Sequence, residues 1–402
     1  MNEKAERRKI ALGITGSIAA YKSAELARIY ISRGYEVKVV MTDSAKKFIT
    51  PLLMQSITGN TVYDSFWDDG DNIEHIEIAD WADVLVIAPA TADFLAKLNY
   101  GFADTPLLAT ALATKSPILI APAMNVNMYE HPKTQEHMVE LKKKGVHFVD
   151  AEEGSLACGW IGAGRLADPW EIFYHTRRAL SIKDFAGKKI LVTTGPTREA
   201  LDPVRFISNR SSGKMGVSIV REAFCRGAEV TLIHGPCEIN VPKPVTRIAV
   251  ETAQEMYEAV MKETFDSPNK PDIVIMAAAV ADFKPSSVAE KKIKKGETVA
   301  NLTLAKNPDI LSAVGEKRGS SNTPLLVGFA VETGELEDLL LEIRRKLQTK
   351  KADMIVGNFA QDAFDLDTNR VWLIDRHGRQ EEVATNFKSR VADKILNTIT
   401  RL

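Results

Sequence analysis

The sequence predicts an α/β protein with two doubly wound parallel sheets, and two observations lead to this fold class. First, short apolar runs alternate with segments of helical periodicity along the whole chain, which is typical of parallel strands joined by helices. Second, an apolar run followed by a turn of small and polar residues occurs at residues 9–19 and again at residues 187–216. We therefore expect two Rossmann-like domains, residues 1–184 and 185–402.

Composition and charge exclude several classes of protein. The chain has 402 residues, enough for two or three domains, and a net charge of −1, which gives no support for a nucleic-acid or anionic-membrane surface. Its three cysteines include no CxxC pair, so neither a disulfide framework nor a zinc site is indicated. No apolar run reaches the roughly 18 residues of a membrane span, and the start does not resemble a signal peptide. We expect a cytoplasmic protein that binds neither nucleic acid nor membrane.

The first domain contains apolar runs that each end in a polar turn. Residues 19–33 have a helical pattern, and Gly34 is suited to end that helix. Ligands of parallel α/β sheets bind at the carboxyl ends of the strands, where these turns lie. The predicted strands are Ile10–Ile14, Val37–Met41, Asp83–Ile87 and Ile118–Ile120.

The first turn is unlike that of a dinucleotide-binding domain, because it lacks the GxGxxG pattern. Asp43 also follows the second strand slightly late for an acid that holds an adenine ribose. These features favour a mononucleotide such as FMN over NAD, although a tight turn that serves packing alone remains the alternative. One phosphate at the helix N-terminus would suit these residues: Gly13, Thr15, Gly16 and Ser17.

Three further segments of the first domain carry potential chemistry. His75 precedes an apparent strand or helix, the run Pro122–Met128 packs amides beside a strand end, and Cys158 lies within a glycine-rich run at residues 154–165. Glycines on both sides of this cysteine suggest a mobile flap over a site. Taken singly, each segment has a structural alternative: a packing histidine, a capped helix start and a free surface cysteine.

Together these segments resemble the flavin-dependent phosphopantothenoylcysteine decarboxylase family, which has a histidine in this region, a PxMNxxM motif and an ACG flap. Tyr129 stands where many members have tryptophan, which leaves the packing of the substrate open. The resemblance implies a flavoprotein-type fold for the first domain. The residues that it implies for FMN are Gly16, Ser17, Thr42, Ala88 and Thr91.

The resemblance also implies the chemistry of the first domain. In that family FMN oxidises the cysteinyl thiol to a thioaldehyde, which lets the neighbouring carbon lose CO2 as an ene-thiolate that is then protonated and reduced. His75 would assist oxidative decarboxylation, Asn125 would hold the substrate carboxylate and Cys158 would donate the proton. Arg165 and Met128 would contact the substrate. A surface position remains the alternative for Arg165, which could otherwise meet a substrate phosphate.

The second domain repeats the alternation of strands and helices and carries three polar clusters, at residues 195–214, 276–283 and 291–310. The first is not a P-loop, because it lacks the GxxxxGK[ST] spacing. Small residues in the second would let a flat base approach the backbone, or would serve tight packing. Lysines in the third would neutralise a triphosphate, or form a solvated loop. The predicted strands are Ile190–Val192, Glu229–Ile233, Ile273–Ala277, Leu325–Phe329, Met354–Val356 and Val371–Ile374.

These clusters resemble the phosphopantothenate–cysteine ligase family in the stretches TGPTxExxDPVRFISNxSSGKMG, AAAVADF, KIKK and KNPDI. The resemblance implies a ligase-type domain that activates a carboxylate with CTP before the cysteine amine attacks. Asn209 would stabilise the acyl-cytidylate or its collapse. Mg2+ would bridge the phosphates, and the sequence identifies no protein ligands for it. The residues implied for CTP are Met276, Ala277, Ala278, Asp282, Lys292, Lys306, Asn307, Pro308, Asp309, Ile310, Phe329, Lys346 and Lys350.

The two resemblances cover nearly the whole chain in the order of the bacterial bifunctional fusion of coenzyme A synthesis. The expected substrates are therefore 4'-phosphopantothenate, cysteine and CTP. The families also imply trimers of the first domain, dimers of the second and a dodecamer. The alternatives are an NAD(P)-dependent oxidoreductase, which the missing GxGxxG disfavours, and a regulatory flavoprotein subunit of a phosphatase, which needs neither Cys158 nor a second domain.

Overall fold

Each half of the chain is organised by one large sheet. The computed structural model describes residues 7–67, 73–155, 159–293, 302–363 and 366–402. The chain divides into two units, Met1–Ser181 and Ile182–Leu402.

The sheet of the first unit is entirely parallel and doubly wound. Its strand order is 3-2-1-4-5-6, so the winding reverses between the first and fourth strands. This reversal opens a crevice at the carboxyl edge where ligands of such folds bind. The seventh and eighth strands form a separate antiparallel hairpin. The strands are β1 (Lys9–Ile14), β2 (Glu36–Met41), β3 (Val62–Tyr63), β4 (Val84–Ala90), β5 (Ile118–Pro122), β6 (His147–Phe148), β7 (Glu152–Ser155) and β8 (Ile161–Arg165).

Threonine caps and first-turn prolines start many helices of this unit. Thr50, Thr91 and Thr105 each accept a hydrogen bond from the third amide of the helix that follows. The helix predicted from Ala19 begins instead with a 3-10 turn, because Ser17 caps Ile18–Ala20. The helices are α1 (Tyr21–Ser32), α2 (Pro51–Thr58), α3 (Glu74–Trp81), α4 (Ala92–Tyr100), α5 (Pro106–Ala113), α6 (Val126–Glu130), α7 (Pro132–Lys143) and α8 (Pro169–Leu180).

The second unit contains a larger sheet and two small hairpins. The strands are β9 (Lys189–Thr194), β10 (Arg198–Ala200), β11 (Phe206–Ser208), β12 (Glu229–His234), β13 (Thr246–Ala249), β14 (Ile273–Met276), β15 (Phe283–Pro285), β16 (Leu304–Lys306), β17 (Leu325–Glu332), β18 (Met354–Phe359), β19 (Thr368–Asp375) and β20 (Gln380–Phe387). The large sheet has the order β13-β12-β9-β14-β17-β18-β19-β20. Strands β10 and β11 pair with each other, as do β15 and β16.

The end of the large sheet differs from the sequence-based expectation. The late strand predicted at Val371–Ile374 exists within β19, but it runs antiparallel to β18, and β20 extends the sheet as an unpredicted hairpin partner. The short connection after β18 explains the reversal, because a parallel crossover needs a dozen or more residues. Strand β20 is mostly exposed and polar, which weakens its strand signal.

Helices cover the sheet of the second unit. Thr252 and Glu255 form a complete capping box at the start of α10 (Ala253–Met261), and Asp309 caps α11 (Ile310–Arg318). A π-helical turn, Lys262–Asp266, continues α10. In the described parts of the chain no helix is both long and apolar enough to cross a membrane. The helices are α9 (Lys214–Cys225), α10 (Ala253–Met261), α11 (Ile310–Arg318), α12 (Leu336–Thr349), α13 (Ala360–Ala363) and α14 (Lys388–Ile399).

Candidate functional site

The turns after β1 and β4 are joined through one threonine side chain. The Thr15 hydroxyl donates to the Pro89 carbonyl at 2.8 Å and accepts from the Thr91 amide at 3.1 Å. The Thr15 amide also donates to the Pro89 carbonyl, at 3.2 Å. Thr91 in turn caps α4. This buried threonine therefore holds the two turns together at the point where the winding of the sheet reverses.

The turn after β1 also lies against the loop after β2. A Cβ atom on Gly16 would stand 2.3 Å from the Cβ of Ser44, so only glycine permits this approach. The Thr42 amide donates to the Ile14 carbonyl at 3.1 Å, and the Ser17 hydroxyl accepts from the Ala19 amide at 3.3 Å. The structure thus brings Gly16, Ser17, Thr42 and Thr91 to one edge, where hydroxyls beside a helix start suit a phosphate.

Ala88 lies in the same region but contributes no side-chain surface. Its side chain is fully buried within β4, and its carbonyl accepts a hydrogen bond from Ser23 at 2.7 Å. Any contact of Ala88 with a ligand would therefore involve its backbone.

His75 lies in the first turn of α3 and is tied to the end of β3. Its ring meets the ring of Phe66 edge to face, with the centroids 6.0 Å apart. Burial and the nearby Glu74 carboxylate raise the pKa of Tyr63, in β3, and a hydrogen bond with the His75 backbone opposes them. Three strands, β2, β1 and β4, separate β3 from β5 in the sheet. His75 is therefore associated with one side of the carboxyl edge, whereas Asn125 follows β5.

Asn125 caps α6, the helix that follows β5. Its side-chain oxygen accepts a hydrogen bond from the Asn127 amide at 2.9 Å, which fixes the orientation of the side chain. Met128 in the same helix is 48% exposed. The PxMNxxM motif thus forms a strand end and a capped helix, with Asn125 at the junction.

The β7–β8 hairpin, which we call the flap hairpin, rests on this junction. The Met124 amide donates to the Gly164 carbonyl at 2.9 Å, and a Cβ on Gly164 would stand 2.4 Å from the Met124 carbonyl oxygen. A Cβ on Gly162 would likewise stand 2.6 Å from a methyl of Val126. Cys158 belongs to the connection between β7 and β8 and lies outside the described residues. The glycines let the strand beside that connection pack directly against the segment that contains Asn125.

Arg165 lies at the base of the flap hairpin and has a carboxylate partner. Its Nε is 3.6 Å from a carboxylate oxygen of Glu152, and its side chain is half-exposed. Burial and then the Arg165 charge lower the pKa of Lys22, which donates to the Leu166 carbonyl at 3.2 Å. Two cations and Glu152 therefore lie near one another where β8 ends.

In the second unit, one threonine near the end of β9 and one in the TGPT motif that follows hold the AAAVAD segment, residues 277–282. The Thr193 hydroxyl accepts from the Ala278 amide at 3.2 Å, and the Thr197 hydroxyl accepts from the Ala281 amide at 3.0 Å. Between them, the Gly195 carbonyl accepts from the Ala279 amide at 2.9 Å. Two motifs that are about 80 residues apart thus run side by side at the carboxyl edge of β9 and β14.

Asn209 joins the same edge from the end of the β10–β11 hairpin. Its side-chain amide donates to the Val280 carbonyl at 2.9 Å and lies 3.4 Å from the Ala279 carbonyl. The start of α9 packs close to β9, where the Thr194 hydroxyl donates to the Gly213 carbonyl at 2.8 Å. The polar loop after Asn209 therefore lies beside the AAAVAD segment.

The KNPDI stretch is bonded to the end of the AAAVAD segment. The Asn307 amide donates to the Asp282 carbonyl, and its side-chain amide donates to the Ala281 carbonyl, both at 2.9 Å. Pro308 follows half-buried, and Lys306 is exposed in β16 opposite Phe283. The structure thus brings Asp282, Lys306 and Asn307 together.

Asp309 connects this stretch to α12. It caps α11 through the Ser312 amide and pairs with Lys350. Burial raises the pKa of the Asp309 carboxyl, but the hydrogen bonds from Lys350 and Ser312 outweigh it, so the pKa is lowered overall. Lys346 lies 3.6 Å from Glu342 in the same helix. Both lysines predicted to meet phosphates therefore have carboxylate neighbours.

Three other predicted nucleotide residues belong mainly to the sheet and its core. Met276 and Ile310 pack in the same buried cluster, so their side chains contact the core. Any contact of these two residues with a ligand would therefore involve their backbone. Phe329 lies in β17, one residue beyond the position that pairs with Met276. Ala277 and Ala278 follow directly after β14, which ends one residue earlier than the predicted strand.

The sequence reasoning missed the roles of Asp202 and Arg205 within the DPVRF stretch. Asp202 is buried and binds the Arg205 side chain and the backbone of Ile293. The sequence feature that could have indicated this pair was the Asp-x-x-Arg spacing within a turn.

Lys292 is described and exposed, whereas Lys294 and Lys295 lie outside the described residues. Among the residues that the structure describes, no cluster of three His, Cys, Asp or Glu side chains could hold a metal ion.

Comparisons with known proteins cover both units. Residues 1–181 match the flavoprotein family, and residues 185–402 match the DNA/pantothenate metabolism flavoprotein C-terminal domain. The chain is 42% identical over 402 residues to the coenzyme A biosynthesis bifunctional protein CoaBC of Vibrio vulnificus (strain YJ016), with 98% of each chain covered. It is 41% identical over 404 residues to the protein of that name from Bacillus subtilis (strain 168), with 98% of this chain and 97% of the other covered.

A solved structure, the crystal structure of the C-terminal domain of a coenzyme A biosynthesis bifunctional protein CoaBC, is 40% identical to the corresponding part of this chain. It covers 55% of this chain and 97% of its own, with a TM-score of 0.45.

Proposed function

Because this chain belongs to the family of bifunctional coenzyme A biosynthesis proteins, we propose that it catalyses two successive steps of that synthesis. The second unit condenses 4'-phosphopantothenate with cysteine at the expense of CTP. The first unit decarboxylates the resulting 4'-phosphopantothenoylcysteine to 4'-phosphopantetheine. The product of the ligase is the substrate of the decarboxylase, which gives the fusion a chemical reason. We assign residues 1–184 to the decarboxylase and 185–402 to the ligase.

In the first unit we assign FMN to the edge formed by the turns after β1, β2 and β4. The close approach at Gly16 and the hydroxyls of Ser17, Thr42 and Thr91 support a phosphate there. Bound FMN would supply reversible hydride transfer, which this chain's own side chains cannot. Ala88 would contribute its backbone.

The chain's own residues would bind the substrate and move protons. The capped Asn125 would hold the substrate carboxylate, and Met128 would contact the substrate beside it. His75 would assist decarboxylation, and Cys158 would donate the proton that completes the product. Arg165 would meet the substrate phosphate once it exchanged Glu152 for that ligand.

In the second unit we assign CTP to the edge formed by the AAAVAD and KNPDI stretches. The backbone of residues 276–278 would face the base, and Lys292, Lys306, Lys346 and Lys350 would supply positive charge for the phosphates. Asn209 would stabilise the acyl-cytidylate from the adjacent hairpin. Mg2+ bound with the nucleotide would neutralise part of the phosphate charge beside these lysines.

Exposed apolar side chains on both units support self-association. In the first unit they cluster in α2 and around β3, where Leu52 is 71% and Trp67 is 91% exposed. In the second they lie on the small hairpins, at Phe206 and Phe283. We propose trimers of the first unit and dimers of the second, combining into a dodecamer, in the cytoplasm.

The observation that carries this proposal is the similarity to these relatives over the full chain. In addition, both sets of motifs lie at the carboxyl ends of parallel strands. A coupled assay tests it: 4'-phosphopantothenate, cysteine, CTP and Mg2+ should yield 4'-phosphopantetheine, CO2 and pyrophosphate. Replacement of CTP by ATP tests the nucleotide. A purified protein without a flavin absorption spectrum, and without decarboxylation after FMN is added, would refute the decarboxylase assignment.

A further inference from the structure

The turn between β10 and β11 is built around a buried carboxylate. Asp202 is only 2% exposed and accepts hydrogen bonds from the backbone amides of Val204 at 2.8 Å and Arg205 at 2.9 Å. The Arg205 guanidinium completes the arrangement with two hydrogen bonds to the second carboxylate oxygen, at 2.9 and 2.6 Å. A buried carboxylate with this many donors is held in one position.

The same carboxylate and guanidinium bind a distant part of the chain. The Ile293 amide donates to Asp202 at 3.2 Å, and the Ile293 carbonyl accepts from Arg205 at 3.0 Å. The Ala289 amide donates to the Leu201 carbonyl at 3.0 Å. Residues 289–293, which we call the lysine segment, are therefore fastened to the turn at both ends, on either side of Lys291 and Lys292.

The hairpin that holds the lysine segment also carries Asn209. Strand β11 ends at Ser208, whose hydroxyl donates to the Thr197 carbonyl at 2.7 Å, and Asn209 then bonds to Val280. One short hairpin thus contacts the AAAVAD segment at one end and the lysine segment at its turn. This geometry fixes the backbone beside Lys292 relative to Asn209.

The charge balance leaves the lysines positive. Arg205 is the partner of the Asp202 carboxylate, so this anchor holds the lysine segment without neutralising it. Binding of a lysine to a phosphate restricts both its side chain and its backbone. Where the backbone is already fixed by other contacts, binding costs only the entropy of the side chain.

We propose that Asp202 is a positioning residue of the ligase, which holds the lysine segment through Arg205 and the Ile293 amide so that Lys292 meets the nucleotide phosphates. This inference rests on the proposed CTP-dependent ligation. Asp202 does not itself contact a substrate.

The variant Asp202→Asn tests this role, because it keeps the side-chain shape and one acceptor oxygen but removes the charge that holds Arg205. We expect the KM for CTP to rise about tenfold, while the KM for cysteine changes less than about twofold. Trypsin should also cleave after Lys291 and Lys292 faster than in the wild type, since the lysine segment loses its anchor.

Asp375→Asn provides the matched control. Asp375 is also buried in a hairpin turn, accepts from the His377 and Arg379 amides and pairs with the Arg379 side chain, but it binds no part of the lysine segment. It should lose comparable stability without the selective rise in the KM for CTP.

An unchanged KM for CTP in Asp202→Asn, or a rise that Asp375→Asn reproduces, would overturn the positioning role. Failure of the wild type to release pyrophosphate with CTP would instead refute the proposed ligation. The trypsin result separates these cases, because it reports the anchoring of the lysine segment without any nucleotide.

Discussion

Asn209 donates its side-chain amide to the carbonyl oxygen of Val280 at 2.9 Å. This hydrogen bond joins two motifs that are separated by 71 residues and come from different loops of the second unit. It holds the Asn209 side chain beside the segment to which we assign the nucleotide.

Asn209→Asp should impair ligation. A carboxylate cannot donate to the Val280 carbonyl, and the lost hydrogen bond and the new repulsion together cost about 1–3 kcal/mol, which corresponds to a loss of rate of about fivefold to 150-fold. Pyrophosphate release with CTP measures the effect. Decarboxylation of added 4'-phosphopantothenoylcysteine should be unchanged, and loss of both activities would point to a folding defect.

Cys158→Ser should interrupt decarboxylation after CO2 is lost. A serine hydroxyl is a much weaker acid than a thiol, so the final protonation should fail and an oxidised product should accumulate. Mass spectrometry would detect this product as two mass units lighter than 4'-phosphopantetheine. Full turnover by this variant would exclude Cys158 as the proton donor.

Gly164→Ala should displace the flap hairpin. The new Cβ would stand 2.4 Å from the Met124 carbonyl oxygen, and Gly164 has a φ of 134°, which strains any other residue. We expect decarboxylation to fall at least about tenfold, because small displacements of catalytic groups are costly.

Gly145→Ala is the control for this variant. Gly145 also has a positive φ, of 89°, but no atom lies within 4 Å of the added Cβ. It should lose some stability and keep its decarboxylase activity. Equal loss of activity in both variants would mean that backbone strain, and not the contact with Met124, is responsible.

Arg226→Leu should destabilise the second unit by about 2 kcal/mol, because it removes hydrogen bonds to two partly exposed carboxylates and a contact with an aromatic ring. The Arg226 side chain is 8% exposed, pairs with Asp184 and Asp393, and lies over the ring of Phe185. Denaturant unfolding measures the change. Arg345→Leu removes an exposed pair with Glu342 and should cost much less. Similar losses in the two variants would contradict the burial argument.

Asp202 should make stability depend on acid pH. The hydrogen bonds from Arg205 hold the pKa of this carboxyl well below its usual range. A lowered pKa in the folded state gives stability that is complete above the ordinary Asp pKa of about 3.9 and is lost as the pH falls through the folded value. The difference in unfolding free energy between wild type and Asp202→Asn should therefore be constant near neutral pH and shrink below about pH 4. A constant difference down to pH 2 would contradict this sign.

The inner strands of both sheets were predictable because buried parallel strands have an apolar pattern that does not depend on partners. The outermost strands, β3, β6, β13 and β20, were not predicted. Five of the six predicted runs in the second unit lie within observed strands, and the sixth, Ile273–Ala277, extends one residue past β14. The alternation with helices gives the doubly wound order. The hairpins were not predictable. Strands β10, β11, β15 and β16 have three residues each and bury little side-chain surface, so their pairing depends on contacts such as those of Asp202.

The sequence by itself determined the fold class, the two family resemblances and the motifs to which we assign the chemistry, because these depend on residue type, spacing and local periodicity. Only the tertiary structure decided which motifs meet. Thr15 joins the turns after β1 and β4, Thr193 and Thr197 hold the AAAVAD segment, and Asp202 fastens the lysine segment. Each is a hydrogen bond between residues about 75 to 90 positions apart. Local sequence pattern carries no record of such contacts, because they form only when the sheet brings the loops to a common edge.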